Sequence, residues 1–397
     1  MQYNKVMGLL TKDGDLRYYP IGEKHVCSDC FGDECIKAFI ESNAESPRCD
    51  FCGKESSEPI AADIDEVIEY IRDCISTEWG NPDDEGVPVE DGEYVWPVKD
   101  SYQLFYDEIE LDANADVLEA IMQAFVDELW VKKDYRTAAP MLSGWALFVE
   151  EVKHHRRYFF SLDENEPFSF DILPSKFLDR LGKEISELEL IRTLTTADTI
   201  YRVRIHDPDL TLSTASELGP PPTELAVYPN RMSPAGIPMF YGSFDIDTAI
   251  QETYKPKNNR QSVATIGKFK PLRELIVLDL TSLPRIPSIF DEHRGYLRPT
   301  IMFLSSFVEE LRKPVEKDDK AHIEYVPTQV FTEYIRHAYR FDEIRFEGII
   351  YPSAITPSGI SCVLFVENDD CCDKSATERK RKPYVLALGG IERRTLA

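Results

Sequence analysis

Apolar residues recur along this chain with two periods, and the change from one to the other falls near residue 198. Upstream, ADIDEVIEYIRDCI (62–75) places Ile64, Val67, Ile68, Ile71 and Ile75 on one face of a helix. ADVLEAIMQAFVDELW (115–130) repeats the pattern with Val117, Leu118, Ile121, Met122, Phe125 and Leu129. SGWALFVEEVKHHRRYFF (143–160) and PSKFLDRLGKEISELELIRTL (174–194) extend it, so residues 59–195 are predicted to form a helical bundle. The acidic, turn-rich stretch NPDDEGVPVEDGEYVWP (81–97) connects its helices. Beyond residue 198 the apolar runs shorten and become β-branched or aromatic, bounded by Pro, Gly or Asp. IYRVRI, PMFYGSF, SVATIGKF, LIVLDL, GIIYP and SCVLFVE read as strands. Helical stretches around 246–255, 298–313 and 328–340 interrupt them. The class is α+β multidomain: a small module at 1–58, the helical zone, a mixed α+β domain at 198–367, and a tail at 368–397. In the tail, NDDCCDK and ERKRKP read as a solvated loop and YVLALGG as one last strand.

The first module is set apart by cysteine. It holds five of the nine cysteines, with Cys27 and Cys30 in one C-x2-C pair and Cys49 and Cys52 in another, eighteen residues apart. Each such turn delivers two thiolates from one knuckle, and four thiolates suit tetrahedral Zn²⁺. Four protein ligands leave no open position, so the predicted zinc is structural and lets a segment too small for its own core fold. Cys35 lies on the helical stretch DECIKAFIES beside Ile36 and Phe39 and reads as core.

Charge narrows the partners. The chain carries a net charge of -26 over 397 residues, a surface that repels phosphate backbones and anionic membranes. No apolar run approaches the ~20 residues that span a bilayer. The stretch MQYNKVMGLLTKDGDLRYYP lacks the apolar core of a secretory signal, so a cytoplasmic location is expected. The cluster His154, His155, Arg156 and Arg157 reads as a solvated helix face opposite Trp145, Phe148 and Val152. HEPN ribonucleases use an Arg followed four to six residues later by His, and that spacing is missing from the helical zone.

Four ordered blocks in the C-terminal region carry more information: YRVR (201–204), NRMSPAGIPMFYGS (230–243), Glu252 within DTAIQE, and FEGIIYPS (346–353). Together they resemble the RES domain, whose eponymous Arg, Glu and Ser fall on Arg231, Glu252 and Ser353. The four-cysteine segment and the helical zone resemble the HEPN-like extension found before some RES domains. The resemblance implies an ADP-ribosyltransferase-like fold and a toxin or defence effector that consumes NAD+, releasing nicotinamide with water or phosphate as acceptor. The family's NAD+-site positions fall on Arg202, Arg231, Tyr241, Glu252 and Ser353. Where many members have a Gly-Gly-Arg turn and an aromatic, this chain has Pro229-Asn230-Arg231-Met232.

The residue types suit that chemistry. A guanidinium fork binds two pyrophosphate oxygens at once, which fits Arg231 and Arg202. Tyr241 offers a flat face to the nicotinamide ring. Nicotinamide leaves as a neutral molecule, so positive charge develops on the ribose, and a carboxylate such as Glu252 stabilises it. Ser353 is expected to bond the carboxamide or a phosphate. Thr328, at the start of VPTQVFTEYIR, reads as a helix cap. A protein ADP-ribosyltransferase on the same site, or an inactive zinc and helical interaction module, are the alternatives. The implied partners are NAD+, an antitoxin or other regulatory protein, and a second copy of the chain, with no nucleic acid and no membrane.

Overall fold

The computed structural model describes residues 19–125, 128–133, 140–157, 174–254, 262–312, 321–374 and 383–396. The start of the cysteine module (1–18), Tyr158 to Phe160 and most of the ERKRKP stretch lie outside the described residues. The chain divides into two compact units, one of Met1–Ala139 with Ile286–Pro299, the other of Pro140–Arg285 with Thr300–Ala397.

In the first unit, β1 (His25–Cys27) pairs antiparallel with β2 (Ala61–Asp63), and α1 (Glu34–Ser42) and α2 (Ile64–Ile75) pack beside them. Aspartates start both helices: Asp33 accepts from the backbone of Cys35 and Ile36, and Asp63 from that of Asp65. Ile64, Val67, Ile68, Ile71 and Ile75 are all fully buried, and each contributes about 1.5–3 kcal/mol by leaving water. A carboxylate at Ile71 would break this face. The third helix, α3 (Ala115–Ala124), is shorter than its sequence pattern predicts. Leu129 and Trp130 instead begin a strand, Leu129–Lys132, between Trp79–Gly80 and Lys99–Asp100. Period-two alternation takes over there: Leu129 is exposed while Trp130 is buried against Phe125. The segment 286–299, drawn from the second half of the sequence, completes this unit. Its Ile289 and Phe290 join the core, Phe290 O accepts from Tyr70 Oη at 2.5 Å, and Arg298 pairs with Glu78 at 2.6 Å.

The second unit is built on a nine-stranded mixed sheet. Its strands are β3 (Ile191–Leu194), β4 (Ile200–His206), β5 (Phe240–Ser243), β6 (Ser262–Pro271), β7 (Leu275–Asp279), β8 (Gly348–Pro352), β9 (Ile360–Leu364), β10 (Cys371–Asp373) and β11 (Leu386–Leu396). They lie in the order β10-β11-β6-β4-β5-β9-β8-β7-β3. All six predicted strands are present, and YVLALGG enters β11, which runs on to Leu396 beside β6. One prediction differs: Ile191–Leu194, expected to end a helix, is the edge strand β3 on β7.

One face of this sheet carries helices. α4 (Pro140–Glu150), α5 (Pro174–Glu187), α7 (Arg298–Arg312, of which residues from Thr300 belong to this unit) and α8 (Val326–Glu333) cover it with Trp145, Phe148, Phe177, Phe303, Phe307 and Phe331. On the same face α6 (Ile246–Thr253) sets Ala249 against Val203, Ala264 and Ile266. The opposite face buries Ile200, Phe240, Phe269, Ile350 and Leu364 under Leu218 and Leu386. A large mixed sheet with helices in the C-terminal part thus stands as the α+β class expected. Helices α4 and α5, read from sequence as part of the helical zone, pack in this unit. Among the described residues, no helix is long and apolar enough to cross a membrane.

Candidate functional site

Two clusters of chemistry-bearing residues stand out. The first is Cys27, Cys30, Cys49 and Cys52, whose sulfurs all lie within 4.8 Å of one another. The separations are 3.9 Å for Cys27–Cys30, 3.5 Å for Cys27–Cys52 and 3.7 Å for Cys30–Cys49. Four sulfurs about 2.3 Å from a tetrahedral Zn²⁺ stand about 3.8 Å apart, so the donor set fits a thiophilic ion such as zinc. The backbone prepares the knuckle: Cys27 N–H points at Cys49 Sγ at 3.4 Å, and Gly53 takes φ +73°, which a side chain would strain.

The second cluster lies on the helix-bearing face of the sheet. Asp245 caps α6 by accepting from Thr248 N at 2.7 Å, and Ala249 anchors the helix on β4 and β6. Glu252 falls in the last turn of this eight-residue helix, nearer its C-terminal end than the sequence predicts. Its Oε1 accepts from Ser353 Oγ at 2.5 Å and from Ala354 N at 3.2 Å. Among the described residues nothing hydrogen-bonds Oε2. Ser353, fully buried just after β8, also accepts at Oγ from Ile355 N and Thr356 N, both at 3.1 Å. Its hydroxyl is therefore spent on Glu252 and on its own turn. The structure makes it a support for Glu252 and leaves it no donor for a ligand.

Arg231 is presented by a tight bridge between Asn230 and Ser233. That turn is held from three sides. Thr328 Oγ donates to Arg231 O, Gln329 Nε2 donates to Asn230 O at 2.8 Å and Ser233 O at 3.2 Å, and Tyr241 Oη donates to Ser233 Oγ at 2.9 Å. Thr328 also donates to Tyr325 O at 3.0 Å, so it acts as a clamp on the Arg231 turn where the sequence suggested a cap. The Arg231 guanidinium lies over the Tyr325 ring, 5.9 Å from its centroid, with Nη1 donating to Glu310 O at 3.4 Å. Arg312, at the end of α7, donates from Nε to Ser353 O at 3.4 Å.

Tyr241 sits on β5 facing Ser233, and burial pushes its phenol up to about 12. Gly242 beside it is required by close approach: a Cβ there would meet Ile200 Cγ2 at 2.6 Å. Tyr351 on β8 shares this face, because Tyr351 pairs with Ser361, Ser361 with Ser243, and Tyr241 with Val363. Its phenol is driven well above its ordinary value, by burial first and then by Tyr241 and Glu252, with Arg231 acting in the opposite sense. Tyr351 thus shares the face of Tyr241 and stands two residues before Ser353, which holds Glu252. Sequence reading missed it, although it stands two residues before Ser353 in the quoted block FEGIIYPS.

Arg202 is placed elsewhere. On β4 it alternates with Tyr201 and Val203, which face α6, so its side chain leaves the sheet on the other side, over the Phe240 ring. Only Ser243 and Tyr201 are paired between β4 and β5. Arg202 fills the seam beyond them, donating from Nη1 to Tyr241 O at 2.6 Å and from Nε to Gly219 O at 3.2 Å. Burial, and then the neighbouring Arg204, lower it to about 9. Strand alternation thus directs Arg202 to the face away from α6, where its donors are taken by Tyr241 O and Gly219 O.

Comparison with known families identifies two regions: HEPN/RES N-terminal domain 1 matches residues 42–166, and the RES domain matches residues 199–387. No curated protein and no solved structure matches the chain. The second match contains Arg231, Tyr241, Glu252, Tyr351 and Ser353 and extends into the tail, where β10 and β11 complete the sheet. The chain is a RES-domain protein carrying a HEPN/RES N-terminal domain.

Proposed function

We propose that the RES domain consumes NAD+ as a toxin or defence effector, breaking the bond between nicotinamide and ribose with water or phosphate as acceptor. The observation that carries this reading is the Glu252 carboxylate. One oxygen is fixed by Ser353 and Ala354, and the other has no hydrogen-bond partner among the described residues. A carboxylate held in this way cannot swing away, and its open oxygen accepts a ribose hydroxyl while its charge favours the oxocarbenium-like transition state. Nicotinamide departs with the bonding electron pair and becomes neutral, and the acceptor oxygen then bonds to the anomeric carbon and loses its proton. Arg231, held by Thr328 and Gln329 through its backbone, anchors the pyrophosphate. Tyr241 would offer its ring to the nicotinamide. Ser353 sets the carboxylate, and Arg202 closes the β4–β5 seam. The ADP-ribosyltransferase-like fold of this domain rests on the family resemblance.

For the four-cysteine cluster we propose a structural Zn²⁺ held by Cys27, Cys30, Cys49 and Cys52. The ion would cross-link two knuckles and contribute folding free energy.

Incubating purified protein with NAD+ labelled in the adenylate half tests the catalytic reading. Release of nicotinamide with the label left on small molecules supports cleavage with water or phosphate. Label moving onto protein favours a transferase, and intact NAD+ in every condition removes both.

A further inference from the structure

Tyr241, the tyrosine singled out by the family resemblance, has a hydroxyl already bonded to Ser233 Oγ. Tyr70, Tyr334 and Tyr339 are likewise bonded, to Phe290 O, Asp179 and Ser186. The Tyr351 hydroxyl has no hydrogen-bond partner among the described residues, and the half-buried side chain lies on the face of Tyr241, two residues before Ser353. Its Oη is not among the buried atoms left without a partner, so it is open to solvent and to a ligand. Ser353 holds Glu252, whose Oε2 is an open acceptor that cannot donate. A donor and an acceptor presented from one face of the sheet suit a single alcohol, which donates to the carboxylate and accepts from the phenol.

We infer that Tyr351 is a ligand-contacting residue, donating its phenolic proton to the same ribose hydroxyl that Glu252 accepts from. This rests on the NAD+ reading above and adds a residue and a specificity to it. Burial keeps the phenol protonated at neutral pH, as a donor must be. The pair selects a ribose hydroxyl over a hydrogen at that carbon, because removing the alcohol strands both the donor and the acceptor.

The test compares wild type with Tyr351→Phe on NAD+ and on its 2′-deoxy and 3′-deoxy analogues at the nicotinamide ribose, reading kcat and KM separately. Tyr351→Phe is expected to lower kcat/KM on NAD+ about three- to tenfold, the loss of one neutral hydrogen bond. On the analogue lacking the contacted hydroxyl it should match wild type, since the two changes remove the same bond. An unchanged rate on NAD+, or the same loss on NAD+ and on both analogues, would overturn the assignment while leaving NAD+ cleavage intact. Wild type inert on NAD+ would remove the parent reading and this one together. Melting temperature is a further check: Tyr351→Phe should melt within a few degrees of wild type, and a large fall would mean that the hydroxyl is bonded inside the protein, which contradicts the inference.

Discussion

Ser353 Oγ donates to Glu252 Oε1 at 2.5 Å across 101 residues of sequence. One side chain closes a strand and the other a short helix, so the bond ties the end of β8 to the end of α6. Removing it frees the carboxylate and orphans two backbone N–H groups, those of Ile355 and Thr356. Ser353→Ala is therefore expected to lower the rate of NAD+ loss by about tenfold or more and to cost about 1–3 kcal/mol of stability. Equal rates for the two proteins in a nicotinamide-release assay would show that Glu252 needs no such support.

Gln329 acts on the opposite side of the site. Its amide holds both carbonyls of the Arg231 turn. Gln329→Leu should leave them with only the Asn230–Ser233 bridge, loosen Arg231, and raise KM for NAD+ several-fold with a smaller change in kcat, the pattern of lost ground-state binding. A fall in kcat at constant KM would place Arg231 in transition-state stabilisation instead.

Arg202 makes the contrasting case. Arg202→Ala removes its bond to Tyr241 O, leaves Gly219 O to Arg204 alone, and empties the seam between β4 and β5. The expected result is a loss of about 1–3 kcal/mol in urea unfolding. Full stability with abolished NAD+ binding would return Arg202 to the ligand site.

Alkaline pH reads the buried phenols. Tyr241 titrates near 12 in the folded protein against an ordinary value of 10, and Tyr351 is raised well above it. Between those values the unfolded chain has lost protons that the folded chain keeps, so stability falls as pH rises. The contribution is intact below about pH 10 and is lost progressively toward 12 and beyond. Melting temperature followed from pH 8 to 12 should be flat and then decline, with the decline reduced in Tyr241→Phe. A decline of undiminished size in that variant would mean that other groups cause it.

The four-cysteine cluster predicts one equivalent of zinc per chain. Chelation or Cys49→Ser should destabilise the first unit, since the metal contributes folding free energy there. Protein purified with less than about half an equivalent and still fully folded would contradict it.

Much of this was legible in the sequence because local pattern and tertiary context agreed. The five-residue apolar face of α2, the six strand runs of the sheet and the paired C-x2-C turns each have a local signature that packing confirms. The failures arose where alternation or distance decided. The pattern through Leu129 looks helical until Trp130 is seen packing on Phe125 from a strand. Arg202 looks like an anion anchor until strand parity turns it away from α6, onto Tyr241 O and Gly219 O. Ser353 looks like a ligand donor until its hydroxyl is found bonded to Glu252. Tyr351 was hidden because nothing local distinguishes it from any strand tyrosine; only its lack of a partner beside Glu252 does. Thr328 carried a signal, a polar residue near a helix start, but its partner Arg231 lies 97 residues away.

The central claim is that the open oxygen of Glu252 drives NAD+ cleavage, and NAD+ content in cells expressing wild type or Glu252→Gln, at matched levels of folded protein, tests it most directly. Glutamine keeps the shape and removes the charge. The account predicts that wild type depletes the NAD+ pool and that Glu252→Gln leaves it at the level of cells without the protein. An undiminished pool with wild type, or equal depletion by both, would contradict it.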